Sequence, residues 1–123
     1  MKKKVILVDD DEQVLKLTAT FLKMLGFEVF KFSNPLNVID FIETINPKID
    51  LLVTDFDMPW VNGGELIGKM REKKPNIKTI CISGSSLNKE FCDASGCDIF
   101  LSKPFEWKEF NQAVRRLFPS LPK

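Results

Sequence analysis

Residues 49–63 read IDLLVTDFDMPWVNG, from Ile49 to Gly63. Ile49 to Val53 is a short, almost continuous apolar run. It is too short for an ordinary helix and suits a strand buried on both faces. Thr54 and Asp55 end it, and Asp57, Met58-Pro59 and Gly63 follow. Burying a carboxylate at the tip of an apolar strand is costly unless a cation or hydrogen bonds compensate it. Asp55 is therefore either a surface residue just past the strand or a working group, and the flanking sequence has to decide between the two.

Upstream, Lys4 to Val8 reads as a strand that ends in Asp9-Asp10-Asp11, with Asp11 placed to cap the next helix. Val14, Leu17, Phe21 and Leu25 form that helix's expected apolar stripe, and Gly26 stops it. Phe27 to Phe32 is expected as an edge strand. Pro35 opens a second helix, with Val38, Phe41, Ile42 and Ile45 as its buried face and Asn46-Pro47 as its end. Downstream of Gly63-Gly64 a third helix turns Leu66, Ile67 and Met70 inward and ends at Lys73-Lys74-Pro75. Ile77 to Ile82 is a fourth strand ending at Ser83-Gly84, Asn88 to Ala94 a short helix, and Asp98 to Leu101 a fifth strand ending at Ser102-Lys103-Pro104. Glu106 to Phe118 closes the chain, with Phe110, Val114 and Leu117 facing inward and residues 119–123 expected as a frayed tail.

Five strands alternating with five helices predict an α/β fold, a flavodoxin-like doubly wound (βα)5 arrangement. Its parallel sheet should run in the order 2-1-3-4-5. At 123 residues the size prior gives one domain, residues 1–123. In such sheets ligands bind beyond the carboxyl ends of the strands. There strand 1 supplies Asp9 and Asp10, strand 3 Asp55, strand 4 Ser83 and strand 5 Lys103. The chain has no histidine, and one lysine cannot neutralise three acids. A hard divalent cation with oxygen ligands can, and Mg²⁺ fits best, with Mn²⁺ as a substitute. Such a cation, a lysine and a hydroxyl suit a phosphoryl group, which makes Asp55 a candidate nucleophile.

Asp9-Asp10, Asp55 with Met58-Pro59 and Gly63, Ser83-Gly84 and Lys103-Pro104 together resemble the receiver domain of two-component response regulators, over essentially the whole chain. The resemblance implies that Asp55 is the phosphoacceptor, served by a sensor histidine kinase, a phosphotransfer protein or a small phosphodonor. It implies Mg²⁺ held by Asp10, Asp55 and the backbone carbonyl of Asp57, with Asp9 acting through water. Ser83 and Lys103 would contact the phosphoryl group, Phe100 would be the aromatic switch, and the bond before Pro104 would be cis. Phosphorylation would then shift the face of helix 4, strand 5 and helix 5 toward a downstream protein target, with a phosphorylation-dependent dimer as one possible form. Three features depart from the family pattern: a slightly short stretch between Ser83 and Phe100, an acid at position 57, and Trp60 in the loop. With no output domain after it, the chain is either a stand-alone receiver or a domain cut from a longer protein.

The composition narrows the setting. A net charge of +1 does not favour direct nucleic-acid binding. The apolar run after Met-Lys-Lys-Lys is only Val5 to Val8, neither an export signal nor a membrane span. Cys81, Cys92 and Cys97, an odd set without histidine, argue for a reducing cytoplasm rather than zinc. Taken singly, the features have plainer readings: Ser83 as a turn residue, Lys103 as a solvated charge, and Phe100, Phe91, Trp107 and Phe110 as packing residues. Trp60 is harder to bury and is a candidate partner contact. Two alternatives stand beside the receiver. Asp55-Phe56-Asp57 resembles the Asp-x-Asp motif of haloacid-dehalogenase phosphatases, though Pro59 breaks it. A binding module that kept the fold without phosphorylation is the other.

Overall fold

In the computed structural model, which describes residues 2–122, the sheet is built outward from β1 and β3. The strands are β1 (Lys4–Val8), β2 (Glu28–Phe32), β3 (Leu51–Asp55), β4 (Lys78–Ser83) and β5 (Ile99–Ser102). Between and after them run α1 (Glu12–Met24), α2 (Pro35–Thr44), α3 (Gly63–Lys73), α4 (Lys89–Ala94) and α5 (Trp107–Leu117). All pairings are parallel and the order is β2-β1-β3-β4-β5, as the alternation of elements predicts. The edge position of β2 explains its exposed Glu28 and Lys31.

Side chains of β1 and β3 alternate between two cores. Val5, Leu7, Leu51 and Val53 pack with α1 and α5, while Ile6, Val8 and Leu52 pack with α2, α3 and Cys92 of α4. The first core is rich in rings: Phe21 meets Phe105, Trp107 and Phe110 at centroid separations of 6.4, 5.3 and 5.8 Å. No helix among the described residues is long and apolar enough to cross a membrane.

The structure corrects the buried face of α1. The buried residues of the helix are Leu15, Thr18, Ala19 and Leu22; of the expected stripe, Leu25 is buried just past the helix and Phe21 packs at the edge of the first core, while Val14 and Leu17 take no part in it. Leu17 is 46% exposed, and Val14 and Phe21 are half-buried. Thr18 reads as polar and so breaks the true stripe on paper. In the fold its hydroxyl donates to the Val14 carbonyl at 2.7 Å, which satisfies it inside the helix. In α2 the face is Pro35, Val38 and Ile42. Ile45 falls past the last turn and is exposed, because the chain leaves through Asn46 at φ +49°. The first strand has the expected bounds, the second starts one residue later, and β3, β4 and β5 are shifted by one or two residues toward their carboxyl ends. Residues 119–122 lie back on the protein, since Arg115 donates to the carbonyls of Leu121 and Pro122. Met1 and Lys123, the last residue of the expected tail, lie outside the described residues.

The α1 register has a direct test in urea unfolding. Leu22→Ala empties a fully buried site and should cost about 2–5 kcal/mol. Leu17→Ala should cost under about 1 kcal/mol. The reverse ranking would restore the face read from sequence.

Candidate functional site

The register of β1 on β3 creates the site. Val8 lies beside Thr54, so the next residues along, Asp9 and Asp55, emerge together at the carboxyl edge. Oxygen atoms of Asp9, Asp10 and Asp55 all lie within 4.8 Å of one another. Asp9 and Asp55 are buried, at 1% and 4% exposure, and Asp10 is exposed at the mouth. The carbonyl of Ser83 accepts from the Lys103 N–H at 2.8 Å, which carries β4–β5 pairing one residue past the strands. The Lys103 ammonium then reaches back across the cleft, 3.0 Å from Asp55 Oδ1 and 3.3 Å from Asp9 Oδ2. The Lys103–Pro104 bond is cis.

Local backbone holds each acid. The N–H of Asp11 donates to Asp9 Oδ1 at 2.9 Å, and Asp11 in turn caps α1 through the N–H groups of Gln13 and Val14. Behind Asp55, Gly63 starts α3 so close to the strand that a Cβ there would lie 2.6 Å from the Asp55 carbonyl oxygen and 2.9 Å from Phe56 Cα. Only a residue without a side chain permits that approach. Asn62 and Glu65 close a capping box over the same turn.

Negative charge is in excess here. Two charges about 4.8 Å apart repel by roughly 3 kcal/mol at an effective dielectric near 20. Burial, and then the charge of Asp9, raises the Asp55 carboxyl to about 6 against the pull of Lys103. Burial raises Asp9 too, opposed by the Asp11 N–H and by Lys103. Burial works to lower Lys103, but its contacts with Asp55 and then Asp9 outweigh this and hold the ammonium above its ordinary value. One ammonium thus leaves three carboxylates under-compensated, and every donor in the group is a hard oxygen. That donor set fits Mg²⁺ or Mn²⁺.

The other expected site residues are placed less uniformly. Ser83 is fully buried, and its Oγ accepts from the Ser85 N–H at 3.1 Å and Asn88 Nδ2 at 2.9 Å. Phe100 is half-buried against the α2–α3 core. The Asp57 side chain is exposed and is not part of the Asp9–Asp10–Asp55 carboxylate group. Trp60 is 71% exposed at φ +70°. Asn88 was not foreseen: one amide five residues from a serine has no pattern in the sequence, and only the 3₁₀ turn Ser86–Asn88 brings it back.

A family model described as "Response regulator receiver domain" matches residues 5–115. The regulatory protein VanRc of Enterococcus gallinarum is 32% identical over 107 residues, covering 85% of this chain and 45% of that protein. The chain spans about half the length of most of the curated relatives it matches, and 12% of one, the sensor kinase CckA of Brucella abortus. Among solved structures, a CheY-like response regulator receiver domain protein from Methanospirillum hungatei JF-1 superposes with a TM-score of 0.86 at 27% identity, covering 97% of this chain and 96% of that one. The receiver domain of the sensor histidine kinase PA1611 from Pseudomonas aeruginosa PAO1 has a TM-score of 0.84 at 21% identity. It covers 98% of this chain and 100% of that one, and holds a magnesium ion in its active-site cleft.

The electrostatics set a pH dependence. Folding raises Asp55 from 3.8 to about 6, and Asp9 in the same direction. The stability these protonated carboxyls confer is complete below about pH 4 and is lost as pH rises through about 6, on the order of 3 kcal/mol for Asp55. Asp55→Asn should therefore raise the metal-free melting temperature at about pH 7.5 and lose that advantage near pH 4. At about pH 7.5, Mg²⁺ at tenfold its dissociation constant should raise the wild-type midpoint by roughly 5 °C. Its effect should shrink near pH 5, where protons compete. No response to Mg²⁺ at either pH would remove the cluster as a cation site.

Proposed function

This chain belongs to the response regulator receiver domain family, and on that premise we propose that it is a phosphorylation switch with Asp55 as the phosphoacceptor. The observation that carries the reading is the convergence of Asp9, Asp10, Asp55 and Lys103 on one cleft. Asp9, Asp10 and Asp55, with the backbone carbonyl of Asp57, would hold Mg²⁺, which supplies charge neutralisation for a phosphoryl group in flight. The magnesium in the PA1611 receiver supports that assignment.

In the chemical step an Asp55 carboxylate oxygen attacks phosphorus. The bond from phosphorus to the donor, an imidazole nitrogen of a sensor histidine kinase or phosphotransfer protein or an acyl oxygen of a small phosphodonor, breaks. The product is an acyl phosphate on Asp55. Lys103 already touches Asp55 and offsets the new charge. We assign the chain no turnover beyond its own phosphorylation and dephosphorylation, and a cytoplasmic location.

The switch follows from what Ser83 now holds. Turning its hydroxyl to the phosphoryl group gives up the bonds from Ser85 and Asn88, and with them the tie between β4 and the turn leading into α4. Reversing a 1:99 population takes about 5.5 kcal/mol, while one charge-assisted hydrogen bond supplies about 1.5–3 kcal/mol. Ser83, Lys103 and the metal site must therefore act together. Phe100, half-buried on β5, is the residue we assign to follow Ser83, so that the α4–β5–α5 face presents a new surface to a downstream protein or a second copy.

Incubation with Mg²⁺ and acetyl phosphate, read by intact mass and peptide mapping, tests the assignment. Wild type should gain one phosphoryl group, mapped to Asp55, and lose it on chelation of Mg²⁺ during labelling. Asp55→Asn should remain folded and unlabelled. Labelling that persists in Asp55→Asn, or partner binding that is the same in both proteins with and without phosphodonor, would overturn the switch.

A further inference from the structure

The helix α4 reaches the sheet through one buried side chain. Of its residues Lys89–Ala94 only Cys92 is buried, at 0% exposure, and Cys81 at the middle of β4 is equally buried. Their sulfur atoms lie 2.8 Å apart, about 0.8 Å beyond a disulfide bond length. Cys97 is half-buried nearby, and its Sγ donates to the Ile99 carbonyl at 2.9 Å rather than meeting either sulfur at that distance. Buried cysteines often serve only as small apolar packing residues. Here two further facts bear on the pair: the near-bonding separation, and what the pair joins. Cys81 lies on the strand that ends in Ser83, and Cys92 lies on the helix that follows Asn88. The segment between them contains Ser83, Ser85 and Asn88, the residues of the hydroxyl contact described above.

The geometry points to a redox modification site: an intramolecular disulfide between Cys81 and Cys92, formed by a hydroperoxide, that fastens α4 and the β4–α4 loop to the sheet. Cys92 sits on the helix with the weaker hold and is the sulfur that meets the oxidant. Its thiolate attacks one oxygen of hydrogen peroxide, the O–O bond breaks, and the departing hydroxide takes a proton to leave as water. Cys92 is then a sulfenic acid. The Cys81 sulfur attacks the Cys92 sulfur, the S–O bond breaks, and hydroxide leaves with the Cys81 proton as a second water. The two thiols lose two electrons and the peroxide gains them.

Burial pushes both thiols up, which suppresses thiolate in the closed protein. Reaction therefore waits on local opening of α4. That opening is cheap for a six-residue helix with no side-chain bond at its N-cap.

The test uses the reduced full chain and hydrogen peroxide, quenched with an alkylating agent in denaturant. Trypsin cuts after Lys89 and so separates the two cysteines. The expected product has lost two hydrogens, carries one alkylated cysteine, and joins residues 79–89 to the peptide that begins at Glu90. Cys97→Ala removes the third thiol and should give the same cross-link, now able to join only Cys81 and Cys92. Amide exchange across residues 89–94 should slow by roughly tenfold in the oxidised form. A bond that uses Cys97, a disulfide-linked dimer, or unchanged exchange after cross-linking would overturn the proposal. So would oxidation that stops at sulfinic acid, or no reaction in the folded protein over a time in which the denatured chain cross-links fully.

Discussion

One ammonium group holds the carboxyl edge of this sheet together. Lys103 sits between the buried carboxylates of Asp9 and Asp55 at 3.3 and 3.0 Å, and without it two like charges would face each other in a poorly solvated cleft. Its position depends on β4–β5 pairing running one residue past the strands, through the bond from the Lys103 N–H to Ser83. The position of the acids depends on the register of β1 against β3. Site and sheet are therefore a single arrangement. A slip of one residue in either pairing would send these side chains to opposite faces.

The two faces of the sheet are held unequally. Helices α1 and α5 are locked by a cluster of rings around Phe21, Phe105, Trp107 and Phe110, and α5 carries a capping box at Glu106 and Glu109. On the other face α4 contributes one buried side chain, with Phe91 leaning edge-on against Phe56 at 5.5 Å while half its surface stays in solvent. Stability is concentrated away from the segment that follows Ser83, which makes that segment the one whose rearrangement costs least.

Much of this was legible in the chain. The strands of a parallel sheet are apolar on both faces, so Val5–Val8 and Leu51–Val53 are marked by composition alone. Asp9, Asp10 and Lys103 lie just beyond strand ends and Asp55 closes β3, where topology compels them to converge. What was illegible depends on exact phase or on contacts distant in sequence. The face of α1 was displaced because Thr18 hides its hydroxyl in the helix backbone. Asn88 could not be paired with Ser83 from spacing, nor could the closeness of Gly63 to Asp55 be read from a glycine in a loop. Nothing in the order of residues announces that Arg71 of α3 would gather acceptors from the α3–β4 loop, β4 and the α4–β5 loop together.

That arginine has a mechanical consequence. Its guanidinium donates to the carbonyls of Pro75 and Ile77, to Thr79, and to Asp98 and the Gly96 carbonyl, the last at 2.7 Å. Gly96 lies two residues past the final turn of α4, so the trailing end of that helix is bolted to the α3–β4 corner. The leading end has a lighter hold, through the turn around Ser85 and Asn88 and the edge contact of Phe91 with Phe56. A rod pinned at one end and loose at the other swings as a lever. Its pivot is at Arg71, and the residues farthest from that pivot include Leu87 and Phe91, whose side chains stand largely in solvent.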